Sequence, residues 1–129
     1  MESTRVVVDT SVFIDYLRAR DKKDTELYKI PDTKIIYISS ITLYELYMGA
    51  IDEQKWEDVK LLTEDLIVLP FDDNISIKAA EIYHDLRKSN KIIEFRDIFI
   101  AATCLVHNLP IRTTNKSHFS RIKGLEIEK

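Results

Sequence analysis

One cysteine, two glycines and three prolines are all that this 129-residue chain holds of the residues that staple, hinge or break a fold. The lone Cys104 has no partner for an internal disulfide, which excludes the disulfide-framed secreted scaffolds and points to a reducing cytoplasm. Set in IAATCLVHN, it reads as a packed thiol. With so little Gly and Pro, and no Ser-, Gln- or Pro-rich stretch, there is no linker, repeat or low-complexity tract. No apolar run approaches the roughly 20 residues that cross a bilayer, so no membrane association is expected, and the charged residue at position 2 argues against a signal peptide. An excess of positive charge is missing too. The 19 Lys and Arg against 22 Asp and Glu give a net charge of -3, which argues against gripping nucleic acid by bulk charge. It does not exclude chemistry on nucleic acid, because bound cations reverse the sign that a phosphate feels at a cluster of carboxylates.

What is present is a 45% apolar fraction, enough at this length for a sheet with two layers of helices. Residues 1–129 are expected to form a single domain. Residues 5–8, 35–38, 67–69 and 111–113 read as short strands, with 125–127 as a candidate fifth at an edge. Helical periods fill the intervals. Ser11 is expected to cap a helix over 12–20, which Asp21-Lys22-Lys23-Asp24 breaks before a short piece around Leu27. Ser39-Ser40 caps a helix through Met48 that Gly49 ends. Helices are also expected over 56–66, 75–89 and 97–107, and a turn or short helix over 116–119. Strands that are apolar throughout, separated by helices, indicate a parallel sheet of four to five strands covered on both faces, an α/β fold.

Three acids sit where apolar segments change character: Asp9 in RVVVDTSVFID, Glu45 in SSITLYELYMGA and Asp97 in FRDIFIAATCL. Desolvating an unpaired carboxylate costs several kcal/mol or more. The usual partner for several convergent carboxylates is a divalent cation. In an open parallel sheet, ligands sit beyond the carboxyl ends of the strands where strand order reverses. Asp9 and the Thr113-Thr114-Asn115 segment lie at such ends, Glu45 leans back toward the start of its helix, and Asp97 opens another. Each has a plainer alternative. Asp9 and Asp97 could be helix caps, Glu45 half of an ion pair, Thr113 and Asn115 turn residues, and Asp15 a solvated or paired charge. His84, His107 and His118 share no ligand spacing, so zinc is not expected. Arg87, Lys88, Lys91, Lys116, Arg121 and Lys123 flank the later motifs, where they could receive a backbone or simply be solvated.

In combination, DTSVFID, ITLYEL, RDIFIAAT and TTNKSHFSRIKGLEI resemble the PIN-domain nucleases, and especially the VapC toxins of prokaryotic toxin–antitoxin pairs. The resemblance covers essentially the whole chain. It implies a three-layer α/β/α sandwich, Mg²⁺- or Mn²⁺-dependent endoribonuclease activity, a homodimer, and neutralisation by a small antitoxin protein. On that likeness Asp9, Glu45 and Asp97 match the acidic metal ligands, and Ser11 the hydroxyl that orients water or a carboxylate. The family's frequent fourth acid falls on Asn115, whose neutral amide is a poorer ligand.

Hard oxygen ligands suit Mg²⁺ or Mn²⁺, which acidify bound water for in-line attack on a phosphodiester, so no protein nucleophile is needed. Asp9 and Asp97 are expected as principal metal ligands, with Glu45 as a ligand or as the base orienting water. Asn115, Ser11 and Thr113 are expected in support, and Arg96 either on a substrate phosphate or paired with a ligand carboxylate. Other readings compete. A haloacid-dehalogenase-type phosphatase wants a second Asp where Ser11 stands, and a receiver wants paired acids at Asp9 and a Lys after its last strand. A processing nuclease without an antitoxin, or a non-catalytic interaction module, would share the fold.

Overall fold

Three consecutive valines mark the centre of the protein. The structure, a computed structural model that describes residues 4–129, places Val6, Val7 and Val8 at 0% exposure. Successive side chains of a strand point to opposite faces, so a run buried at every position needs cover on both. Strand β1 (Arg5–Val8) has it. Val7 joins a core with Ile75, Ala79, Ile82 and Ile100, whereas Val6 and Val8 join a second core with Val12, Phe13, Ile38 and Val59.

Strand β1 lies inside a four-stranded sheet with β2 (Ile35–Ser39), β3 (Ile67–Leu69) and β4 (Ile111–Arg112), in the order β3-β2-β1-β4. All pairings are parallel: Val6 is opposite Ile36, Ile38 opposite Val68, and Val7 opposite Ile111. Helices α1 (Thr10–Arg18), α2 (Glu26–Lys29), α3 (Ser40–Met48) and α4 (Glu53–Thr63) serve the second core. Helices α5 (Asp73–Lys88), α6 (Phe95–His107) and α7 (Lys116–Phe119) serve the first. This is the expected α/β/α sandwich. The chain builds β1, β2 and β3 outward in one direction and returns to lay β4 on the other side of β1, so the strand order reverses between β1 and β4.

Caps fix the helix starts, at about 1 kcal/mol each. Ser39, Asp52 and Asp72 accept from the backbone N–H groups of Thr42, Lys55 and Ile75. Helix α6 ends on Asn108 in the left-handed region, at φ 55°. Gly49, expected to stop α3, does so at φ -79°, without using its left-handed freedom.

Several boundaries differ from expectation. Helix α1 starts at Thr10, so Ser11 lies inside its first turn and is not its cap. Asp52 starts α4 ahead of Trp56, which stays 52% exposed and rests on Tyr47 with ring centroids 4.5 Å apart. Helix α6 starts at Phe95, which puts Asp97 within the first turn instead of at the opening residue. Residues 125–127 make a single parallel bridge, Ile127 to Ile111, and not a fifth strand. That tail is nonetheless tied down: Ile111 N–H donates to the Glu126 carbonyl and Glu128 N–H to the Ile111 carbonyl, both at 2.9 Å. The Glu128 carboxylate also pairs with Lys34 and, at 3.2 Å, with Arg112. Among the described residues no helix is long and apolar enough to cross a membrane.

The two faces of α5 provide a direct test, since Ile75 is 0% exposed and Ile77 is 61% exposed. Ile75→Ala should lower unfolding free energy by about 2–5 kcal/mol through lost burial and the cavity left behind. Ile77→Ala should stay within about 0.5 kcal/mol of wild type in urea melts. Similar losses at both positions would contradict this packing.

Candidate active site

The site lies at the carboxyl ends of β1 and β4, where the strand order reverses. Asp9 follows β1 directly and is 1% exposed. It occupies the N-cap position of α1 with extended backbone (φ -72°, ψ 155°), but its side chain makes no capping hydrogen bond, which removes the capping alternative. Its Oδ2 instead accepts from the hydroxyls of Ser11 and Thr113, each at 2.8 Å. Both donors are themselves oriented: Thr114 N–H donates to Ser11 Oγ at 3.2 Å and Asn115 N–H to Thr113 Oγ1 at 2.9 Å. The loop after β4 is thereby bound to the loop after β1. Asp9 Oδ1 is buried and has no partner. Leaving a charged acceptor dry and unbonded is costly, and nothing in the surrounding protein satisfies it.

Glu45 stands within α3 on the face it shares with Thr42. Its Oε1 accepts from Thr10 Oγ1 at 2.9 Å, and Thr10 and Thr42 hydroxyl oxygens are also 2.9 Å apart. Ser39 Oγ donates on to Thr42 Oγ1 at 3.1 Å. Each hydroxyl carries one proton, so Thr10 can serve Glu45 while Thr42 serves Thr10 and Ser39 serves Thr42. Glu45 Oε2 pairs with Arg96 Nη1 at 3.2 Å, and Arg96 Nη2 reaches Glu94 at 3.0 Å. Arg96 is thus a partner of a candidate ligand carboxylate, one of the two roles expected for it. Asp97, from the first turn of α6, has its Oδ2 3.3 Å from His118 Nδ1 on α7.

Electrostatics show that the three acids face a common space. Burial raises the proton affinity of Glu45 above the ordinary carboxylate range; the Thr10 hydrogen bond and the Arg96 charge oppose this, and the charges of Asp9 and Asp97 add to it. Burial likewise raises Asp97, the Asp9 charge adds to the rise, and His118 opposes it. Among the described residues no three His, Cys, Asp or Glu side chains form a group that could hold a metal ion as they stand. Each acid is engaged by its own polar neighbours. The bare Oδ1 of Asp9 and the all-oxygen donor set nonetheless fit a hard dication, which would satisfy that oxygen and relieve the mutual repulsion.

Of the other expected residues, Ser11 and Thr113 are in the site through Asp9. Asn115 is exposed at the N-cap position of α7 and makes no side-chain capping bond. Asp15 is exposed, as expected of a solvated charge, and the Cys104 thiol is buried, with burial pushing its pKa up. Thr10, Thr42 and His118 were not anticipated. Thr10 and Thr42 left a legible signal, as hydroxyls beside Asp9 and on the helical face of Glu45, whereas His118 meets Asp97 only through the fold.

Such a cleft in an α/β/α sandwich defines a class, and the comparisons agree. The PIN domain family model matches residues 6–125, and the chain belongs to that family. Ribonuclease VapC1 of Methanocaldococcus jannaschii is 36% identical over 129 residues, spanning 98% of this chain and 88% of that protein. A chain of VapBC-1 from nontypeable Haemophilus influenzae superposes with a TM-score of 0.83 at 28% identity, covering 97% of both chains. VapBC2 from Rickettsia felis, solved bound to a promoter DNA fragment, shares the fold with a TM-score of 0.84 at 23% identity, over 96% of this chain and 97% of its own.

The raised Asp97 pKa makes metal-free stability depend on pH with a defined sign. Between the ordinary value of 3.8 and the raised one, the folded chain binds more protons at Asp97 than the unfolded chain, so this residue's contribution falls as pH rises through that window. Asp97→Asn, which mimics the protonated acid, should therefore melt higher than wild type in chelator at pH 7. The gap should close as pH falls toward 3.8. A gap that ignores pH would show that Asp97 is not destabilised by ionisation.

Proposed function

We propose that this protein is an endoribonuclease that hydrolyses RNA phosphodiesters with Mg²⁺ or Mn²⁺, in the cytoplasm, as the toxin of a toxin–antitoxin pair. In this reading one PIN domain, assembled as a homodimer, is neutralised by a small antitoxin protein. The observation that carries the chemistry is the Asp9 carboxylate, 1% exposed and with Oδ1 unpartnered, beside two acids whose pKa values its charge helps to raise. Membership of the PIN family and the likeness to VapC ribonucleases support RNA as the substrate, and the VapBC structures support an antitoxin as the partner.

Asp9, Glu45 and Asp97 are the residues that would hold the cation, with the neutral Asn115 amide oxygen as a supporting ligand. A dication bound there would neutralise phosphate charge and acidify an attacking water. Ser11 and Thr113 stop the Asp9 carboxylate from rotating, so its bare oxygen keeps one direction. Glu45, with a proton affinity above that of a solvated carboxylate, suits acceptance of a proton from water. His118 steadies Asp97, and Arg96 balances Glu45 until phosphate or cation offers Arg96 or Glu45 another partner.

Purified protein should cut single-stranded RNA with Mn²⁺ or Mg²⁺ and stop in excess chelator; full cleavage in chelator would overturn the metal dependence. Thr113→Val keeps the shape but removes one hydrogen bond to Asp9. It should cost about 10–100-fold in activity or in Mn²⁺ affinity measured by calorimetry. An unchanged Thr113→Val would mean that Asp9 is not a ligand in need of orientation.

A further inference from the structure

Phe95 is 64% exposed at the first residue of α6, two positions before Asp97. Single exposed apolar residues are common and by themselves mean little, but this ring is held in place. Phe99 meets it tilted at 66° with centroids 5.6 Å apart, and Phe99 is braced in turn by Phe71 at 4.7 Å. Arg96 connects the ring to the acids: its Cζ is 6.0 Å from the Phe95 centroid, at the outer limit of cation–π contact, and its Nη1 is 3.2 Å from Glu45 Oε2. An open aromatic face, a guanidinium and a buried carboxylate thus follow one another into the cleft. A nucleotide presents the same sequence of chemistries, a π-face joined through one sugar to a phosphate.

We infer that Phe95 is a stacking platform for the base of a nucleotide adjoining the scissile phosphate, so that the substrate is RNA whose base at that position is unpaired. The inference rests on the ribonuclease reading and adds to it the state of the RNA strand. Paired bases hide their faces in the helical stack, and single-stranded segments expose them to aromatic side chains. The charged neighbours Glu94 and Arg96 favour a nucleotide over an apolar protein surface, which would have to desolvate both. Stacking is tolerant of base identity, which makes Phe95 a selector of strand state and not of sequence.

The experiment compares wild type, Phe95→Ala and Phe95→Trp on a short single-stranded oligoribonucleotide, with each position flanking the cut replaced in turn by an abasic nucleotide. Phe95→Ala should lower kcat/KM roughly 5- to 150-fold, while Phe95→Trp retains activity and melting temperatures stay unchanged. One abasic position should impair wild type to a similar degree and cost Phe95→Ala nothing further. The inference is overturned if Phe95→Ala cuts like wild type, or if abasic penalties are equal in the two proteins. It is also overturned if light scattering shows that Phe95→Ala changes the oligomeric mass, which would make Phe95 a contact between copies of the chain. Wild type that leaves every RNA intact would instead overturn the ribonuclease reading, and the stacking platform with it.

Discussion

The arrangement of this protein depends on one carboxylate being forced out of water. β1 is central in the sheet and buried on both faces, so whatever follows Val8 emerges beneath the ends of flanking helices, not at the surface. Asp9 is that residue, and burial of a charge is tolerable only with compensation. Half of the compensation is internal, since two hydroxyls from opposite sides of the strand-order reversal converge on Oδ2. The other half is missing from the protein, because Oδ1 has no donor at all. A hydrogen-bonding side chain at that oxygen would stabilise the empty fold and leave less room for a cation.

Charge balance across the cleft is incomplete in the same sense. Arg96 divides its guanidinium between the half-buried Glu45 and the exposed Glu94, and its Nε is buried without a partner. His118 meets Asp97 at a length that leaves the contact weak. Neither basic group cancels the repulsion that Asp9 exerts on Glu45 and Asp97. Local negative potential thus exceeds what the net charge of -3 suggests, and the surface would repel a polyanion until cations arrive.

Much of this was legible in the chain. Continuous apolar runs such as Arg5–Val8 could only be strands covered on both faces, and the positions of Asp9 and Thr113 at strand ends followed from the expected sheet. Glu45 stood out because its helix offered no polar face, and the ion pair weighed as its alternative is real: Arg96 makes it. Ser11 was legible as a hydroxyl with a task, but the task was misread, since a carboxylate two residues away is a better acceptor for it than a backbone N–H is a donor. The contact of His118 with Asp97 depends on how α7 lies against α6, which no spacing encodes. Residues 125–127 have the composition of a strand but reach the sheet for one bridge, where β4 is itself only two residues long.

The tie between Asp9 and Thr113 joins positions 104 residues apart in the chain, and the tail that secures β4 lies further on still. Contacts of such long sequence separation carry a large loop-closure entropy and form late in folding. A nascent chain that has emerged as far as α6 already contains all three acids, yet lacks the hydroxyl that fixes the first and the histidine that meets the third. Assembly of the cleft is therefore the last event of folding rather than an early one, and partial unfolding from the β4 edge dismantles it before the two cores are lost.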